Sequence, residues 1–169
     1  GARGESLAND NRTVWKYDAS TGSRTTYIQE KNFNYEDGAV DDSGNYYVIG
    51  YNSSSPSSYF IDAYSLAGNK FLSFEVPGEA GSGGTAYDAR RLLNIEIDSE
   101  GDLYVGAKSG TDWFVAKYDQ SGSQYWNKTF DTGTSDHEVY DLVLDKAKNI
   151  YVVGEMYLGS YDYHLKRLD

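Results

Sequence analysis

Residues 98–126 read DSEGDLYVGAKSGTDWFVAKYDQSGSQYW, and this stretch decides the fold. Turns containing Gly101 and Gly122 flank short runs in which Leu, Tyr, Val, Trp and Phe are concentrated. Such residues favour strands, and glycine tolerates the positive φ that tight hairpin turns require. The stretch therefore predicts consecutive antiparallel strands joined by hairpins.

Two blocks of this stretch recur along the chain. The first block returns in residues 42–50 and 147–154, and in the last copy Lys148 replaces the turn glycine, so we expect a turn of a different type there. The second block occurs four times, with spacings of 47, 54 and 50 residues between its last apolar residues. These residues are Tyr17, Tyr64, Tyr118 and Leu168.

Each repeat holds four strand-like runs in about 50 residues, which is the pattern of a β-propeller blade. We predict an all-β fold in which residues 1–12 form an amino-terminal extension. Partial blade 13–30, blade 31–76, blade 92–130 and partial blade 138–169 follow. This makes about three and a quarter blades, whereas closed propellers have about four to eight. We therefore expect an open structure or part of a larger propeller.

The pattern Asp-x-x-Gly-Asn-x-Tyr-Val-x-Gly, followed by Lys-Tyr-Asp-x-x-Gly-x-x-x-Trp, resembles the SBBP-type β-propeller repeats of microbial cell-surface proteins. The likeness extends roughly from Val14 to Asp169, and the copy in residues 98–130 matches best. The resemblance implies a propeller fold and an extracellular or cell-surface location. It implies no particular chemistry, because one fold serves many functions.

Charge and composition exclude several classes of function. The 169 residues include 26 acidic and 15 basic side chains, giving a formal net charge of −11, which argues against a nucleic-acid-binding protein. There is no cysteine, so disulfides and thiolate metal sites are excluded. No apolar run approaches the length of about 20 residues that a membrane span requires.

Polar residues repeat on the innermost strand of each predicted blade. Asp37, Asn94 and Asp141 occupy equivalent positions and would face a central channel, where their oxygen atoms are candidate ligands for Ca²⁺. No other cofactor is expected. A second set of acids also repeats and consists of Asp41, Asp98 and Asp145. For this set we favour turn formation, in which each carboxylate accepts hydrogen bonds from backbone amides.

Loops on one face of the predicted propeller contain candidate ligand-binding residues. Aromatic rings stack on sugars, and an adjacent arginine pair can bind a carboxylate. The residues are Tyr35, Tyr51, Tyr87, Tyr140, Arg90, Arg91 and His137. The alternative interpretation is that the tyrosines pack between blades while the arginines and the histidine are solvated. Three glycosylation sequons begin at Asn11, Asn52 and Asn127.

These features favour a non-catalytic extracellular module that binds glycans, matrix or protein partners. An alternative is a structural subunit of an oligomer or surface filament, completed by other copies of the chain or by the rest of a longer propeller. In particular, we expect strand 163–169 to pair with a strand from elsewhere. A glycan-active enzyme is the third hypothesis, with Asp88, Asp136 and Glu138 as the acids to test.

Overall fold

The computed structural model describes residues 11–31, 33–52, 55–77, 93–110, 112–130, 138–157 and 160–168. These residues form thirteen strands, and no helix occurs among them that could span a membrane. The strands are β1 (Asn11–Tyr17), β2 (Arg24–Lys31), β3 (Phe33–Val40), β4 (Tyr46–Asn52), β5 (Ser55–Tyr64), β6 (Lys70–Val76), β7 (Asn94–Ile97), β8 (Leu103–Ser109), β9 (Asp112–Tyr118), β10 (Gln124–Phe130), β11 (Glu138–Leu144), β12 (Ile150–Tyr157) and β13 (Tyr161–Leu168).

The strands form four antiparallel sheets in chain order. The first sheet contains β1 and β2, the second β3 to β6, the third β7 to β10, and the fourth β11 to β13. Within each sheet every strand pairs with its neighbours along the chain. The predicted all-β fold, built from four-stranded propeller-type repeats and two incomplete ones, is confirmed.

The innermost strands of successive sheets lie side by side. Strand β3 contacts β7, and β11 contacts both β7 and β8. We call the surface that β3, β7 and β11 share the axial surface, because the inner strands of a propeller surround its axis. The sheets thus pack face to face in sequence along the chain.

Two apolar cores hold the last three sheets together. Between the second and third sheets, Ile49 and Ile61 pack with Ile95 and Val105, and all four are almost fully buried. Between the third and fourth sheets, a second cluster contains Trp113, Val115, Val139, Leu142 and Met156. Burying a large aliphatic or aromatic side chain contributes about 1.5–3 kcal/mol, so these cores supply much of the stability.

The turns between the first two strands of each sheet have the predicted chemistry. The carboxylates of Asp41, Asp98 and Asp145 each accept hydrogen bonds from the amides two and four residues later, at 2.8–3.1 Å. The prediction that this set forms turns is therefore confirmed.

The prediction of a different turn at Lys148 is wrong. Lys148 has a φ of 64°, in the same left-handed region as Gly44 and Gly101. Its amide donates to the carbonyl of Asp145 at 2.9 Å, as the two glycines do to their own aspartates. The fold thus imposes one turn type, and a lysine adopts the conformation that favours glycine.

Candidate functional site

Asp37, Asn94 and Asp141 lie at equivalent positions of the three inner strands. Asp37 is opposite Ile49 in β4, Asn94 is opposite Gly106 in β8, and Asp141 is opposite Val153 in β12. Each of these partners lies eight residues after the aspartate that opens the turn of its own repeat, namely Asp41, Asp98 or Asp145. The sequence alignment of the repeats therefore corresponds to structural equivalence on the axial surface.

A β-bulge precedes two of these residues. Glu36 in β3 and Tyr140 in β11 are extra residues in the ladder, immediately before Asp37 and Asp141. A bulge bends its strand and redirects the following side chain. Opposite the first bulge, a Cβ on Gly50 would lie 2.1 Å from the carbonyl oxygen of Asn34, so the close approach of the two backbones requires glycine there.

Hydrogen bonds fix the carboxylates of this surface. Asp37 Oδ2 accepts the backbone N–H of Ile95 at 3.0 Å, which joins the second sheet to the third. Asp141 Oδ1 accepts the backbone N–H of Leu142 at 2.9 Å. The position of the Asp37 carboxylate is thereby set beside the peptide that follows Asn94.

Asn94 is a buried polar residue with an unused donor. It is 7% exposed, and its side-chain Nδ2 has no hydrogen-bond partner among the described residues. Buried polar groups usually have partners, because an unpaired one costs about 1–3 kcal/mol. This amide is the most informative group on the axial surface.

Glu96 is a third acid of the axial surface. It lies two residues after Asn94 in β7 and therefore shares its face. Burial raises the pKa of Glu96, and the negative charges of Asp37 and Asp141 raise it further. The period-two alternation places Glu96 on this face, but the equivalent residues Ala39 and Val143 carry no charge, so comparison of the repeats did not select it.

The axial acids do not form a preformed metal cage. Ca²⁺ binds oxygens at about 2.3–2.6 Å, so oxygens that share one ion lie within about 5 Å of one another. In the described part of the chain, the one set of three acids whose oxygens all lie within 4.8 Å of one another is elsewhere. Ca²⁺ binding by Asp37, Asn94 and Asp141 stays a prediction.

That other set consists of Asp98, Glu100 and Asp102, in the turn between β7 and β8. Two lysine ammonium groups pair with these three acids. Lys148 Nζ lies 2.9 Å from Asp98 and 2.8 Å from Glu100, and Lys117 Nζ lies 2.7 Å from Asp102. Ion pairs therefore account for this cluster without a metal.

Two of the tyrosines expected to bind ligand are used in packing. Tyr51 is 3% exposed in the core between the second and third sheets, so its ring is not available to stack on a ligand. The hydroxyl of Tyr35 donates to Asp62 Oδ2 at 3.0 Å and lies 2.7 Å from the Tyr64 hydroxyl. The structure favours the packing interpretation for both residues.

Tyr140 differs from them because it is the extra residue of the β11 bulge, directly before Asp141. Its hydroxyl forms a hydrogen bond with Glu155 Oε2, which fixes the orientation of the ring. The ring is half-buried, and its centroid lies 6.1 Å from that of Tyr163. The role of Tyr140 as a ligand-binding residue stays a prediction.

Several sequence predictions concern positions that the structure does not describe. Tyr87, Arg90, Arg91 and His137 lie outside the described residues, as do Asp88 and Asp136, and these predictions remain untested. Glu138 begins β11, and Asn11 and Asn52 lie in β1 and β4. Asn127 is exposed on β10.

Comparisons with known proteins add information about the fold. No protein-family model and no curated protein matches the chain. A protein of unknown function from Bacteroides caccae has a similar structure, with a TM-score of 0.60 at 11% identity, covering 95% of this chain and 55% of that one. This likeness shows a shared fold, and the resemblance to cell-surface repeats stays a prediction.

Virginiamycin B lyase from Staphylococcus aureus also aligns. A catalytically inactive variant with quinupristin and the selenomethionine-substituted protein give TM-scores of 0.49 and 0.47 at 12% identity. Both alignments cover 94% of this chain and 46% of the lyase chain. The chain thus spans about half the length of these solved structures.

Proposed function

We propose that this chain is a non-catalytic binding module of an extracellular or cell-surface protein, and that its axial surface binds the hydroxyl groups of a glycan. The residues involved are Asp37, Asn94, Glu96 and Asp141, with Tyr140 beside them. Each residue belongs to a paired strand, the Asp37 carboxylate is bonded to the amide of Ile95, and the charges of Asp37 and Asp141 act on Glu96.

The unpaired Nδ2 of Asn94 carries the proposal. Its burial is unfavourable unless a ligand or water supplies an acceptor. A hydroxyl group accepts a hydrogen bond from an amide and donates its own proton to a carboxylate. Neighbouring hydroxyls of one sugar therefore match an asparagine amide that lies beside Asp37 and Glu96.

Two other ligand classes fit this surface less well. An anion would be repelled by the carboxylates, since burial and then the charges of Asp37 and Asp141 already raise the pKa of Glu96. A bare cation would leave the donor Nδ2 of Asn94 unpaired, and the axial acids are too dispersed to surround it. A sugar ring is large enough to bridge groups that lie further apart.

Tyr140 supplies an apolar contact next to the polar groups. Sugar rings present C–H faces as well as hydroxyls, and tyrosine binds such ligands through its ring while its hydroxyl stays paired. The bulge in β11 places Tyr140 directly before Asp141, so one ligand can contact both side chains. This arrangement supports a glycan over a small polar ligand without an apolar face.

The proposal that the module is non-catalytic rests on the hydrogen bonds that the carboxylates of Asp37 and Asp141 already accept. Glycoside hydrolysis needs a carboxylic acid and a second carboxylate that acts as nucleophile or base. The raised pKa of Glu96 suits a general acid, which makes hydrolysis the second candidate function. However, Asp37 and Asp141 each hold a backbone N–H, which favours positioning roles over nucleophilic attack.

Calorimetric titration with a panel of neutral oligosaccharides, in Ca²⁺ and in EDTA, tests the proposal. We expect at least one oligosaccharide to bind, and Asn94→Ala to weaken that binding about tenfold, because a lost hydrogen bond in a buried site costs about 1.4 kcal/mol. Asn127→Ala, which removes an exposed asparagine on β10, is the matched control and should bind like the wild type.

Three outcomes would overturn the proposal or part of it. Failure of every oligosaccharide to bind, or equal binding by Asn94→Ala, would exclude the axial glycan site. Binding that EDTA abolishes would show that a cation is required. New reducing ends after incubation would replace binding by hydrolysis, and Glu96→Gln should then eliminate them.

A further inference from the structure

The fourth sheet exposes an apolar face that no other described part of the chain covers. Val143, Tyr163 and Leu165 are 45%, 79% and 68% exposed, and strand pairing places them on one face of the sheet, which we call the terminal face. The opposite face packs on the third sheet through Leu142 and Val152. Large exposed apolar groups in one patch indicate an interaction surface.

Strand pairing shows what normally covers this face. Leu165 is opposite Val153, Val115 is opposite Gly106, and Ile61 is opposite Ile49, so these three residues are equivalent. Ile61 is buried in the core under the third sheet, and Val115 is buried in the core under the fourth. The terminal face is therefore a third copy of an interface that the chain already forms twice.

The other end of the chain exposes the complementary kind of face. Val14 of β1 packs towards the second sheet. Side chains alternate along a strand, so Trp15 and Tyr17 lie on the opposite face, where they are 44% and 58% exposed. Tyr17 corresponds to Tyr118, since each precedes the aspartate that opens the next turn. Tyr118 packs against the preceding sheet. Among the described residues, no sheet packs on this face of the first sheet.

We infer that the terminal face of one chain binds the Trp15–Tyr17 face of a second copy, head to tail. Both surfaces are present on the same chain, and each is equivalent to a surface that meets its counterpart inside the chain. Two copies would also supply about the length of the solved propeller-like chain from Bacteroides caccae, of which one copy covers 55%. Head-to-tail contacts close into a ring when the rotation between subunits allows it.

Sedimentation velocity over a concentration series, combined with light scattering, tests the inference on the full chain. We expect wild-type protein to form a species of two copies, and Leu165→Lys and Trp15→Lys each to weaken the association at least tenfold. Leu66→Lys is the matched control, because Leu66 is 52% exposed in the turn between β5 and β6 and lies on neither face. Thermal unfolding of each variant checks that it remains folded.

Mixing the two variants provides a sharper test. Leu165→Lys retains the Trp15–Tyr17 face and Trp15→Lys retains the terminal face, so the mixture has one intact interface. We expect the mixture to form heterodimers at concentrations at which neither variant associates alone. A wild-type monomer at every concentration, an unchanged Leu165→Lys assembly, or no association in the mixture would overturn head-to-tail pairing of copies.

Discussion

The ammonium nitrogen of Lys148 lies 2.9 Å from the carboxylate of Asp98, and this ion pair joins equivalent turns of the fourth and third sheets. The same nitrogen lies 2.8 Å from Glu100. These two acids raise the pKa of Lys148, so the side chain stays charged. The contact gives a physical reason for lysine at this left-handed position, because its side chain reaches two acids of the third sheet from there.

Substitutions of Lys148 separate its backbone conformation from its ion pairs. Lys148→Gly removes the pairs and also relieves the left-handed strain, whereas Lys148→Ala removes the pairs and keeps the strain. We expect the alanine variant to melt roughly 2–4 °C below the glycine variant. Both should show less dependence of melting temperature on salt than the wild type. Lys146→Ala, an exposed lysine in the same turn, is the control.

The repeat architecture could be predicted because its signals are local. An aspartate such as Asp41 or Asp98 opens a turn through its own neighbouring amides, and the alternation of apolar residues defines the strands. The turn at Lys148 could not be predicted in this way. Asp145 opens it as Asp41 and Asp98 open theirs, but the left-handed residue is a lysine whose ammonium group pairs with Asp98 and Glu100, about 50 residues away in another sheet.

The axial surface was predicted in part. Equivalence of Asp37, Asn94 and Asp141 followed from the repeats, because the turns set the register of each strand pair. The role of Glu96 depends on the charges of neighbouring sheets, which repeat comparison does not reveal. Burial of Tyr51 likewise depends on how the second and third sheets pack, and no local pattern distinguishes it from an exposed tyrosine.

Glu96→Gln should increase stability at neutral pH. Burial and the charges of Asp37 and Asp141 raise the pKa of Glu96 in the folded chain, so ionisation favours the unfolded state as the pH rises above the ordinary value of 4.5. Glutamine keeps the shape without the charge. Urea unfolding should show the variant to be more stable at pH 7, and the difference should disappear below about pH 4.

Glu75→Gln is the control for that experiment, because Glu75 is exposed on β6 away from the axial acids. This variant should match the wild type at both pH values. Equal stability of Glu96→Gln and wild type at pH 7 would mean that solvent screens the three axial charges from one another.

Gly50→Ala should destabilise the chain by about 1–3 kcal/mol, the usual cost of forcing extra atoms into a packed site. The new Cβ would lie 2.1 Å from the backbone oxygen of Asn34, so the β3 bulge must shift. Gly38→Ala is the control: its Cβ would come no closer than 3.0 Å to a neighbouring atom, and we expect less than about 1 kcal/mol.

The bulge also predicts a local effect in the next sheet. Displacement of β3 moves Asp37, whose carboxylate accepts the amide of Ile95. Hydrogen exchange of the Ile95 amide should therefore become faster in Gly50→Ala and stay unchanged in Gly38→Ala. Unchanged exchange in both variants would separate the bulge from the position of Asp37.

Asp62 tests how much a buried charge contributes between the first and second sheets. It is 1% exposed and accepts hydrogen bonds from Lys70 Nζ at 3.0 Å, Ser73 Oγ at 2.7 Å and Tyr35 at 3.0 Å. The equivalent residue of β9 is Ala116, so the fold does not require an acid at this position. Its network is specific to the second sheet.

Asp62→Ala should cost about 2–4 kcal/mol in urea unfolding, because it removes a buried carboxylate that accepts hydrogen bonds from Lys70, Ser73 and the half-buried Tyr35. The lower part of the range reflects Lys70, whose side chain is 31% exposed and can be solvated once the pair is lost. Adding Lys70→Met to Asp62→Ala should destabilise less than the sum of the two single substitutions, with a coupling of about 1 kcal/mol. Strict additivity would show that Lys70 and Asp62 do not stabilise each other, and that the hydroxyl donors alone hold the carboxylate.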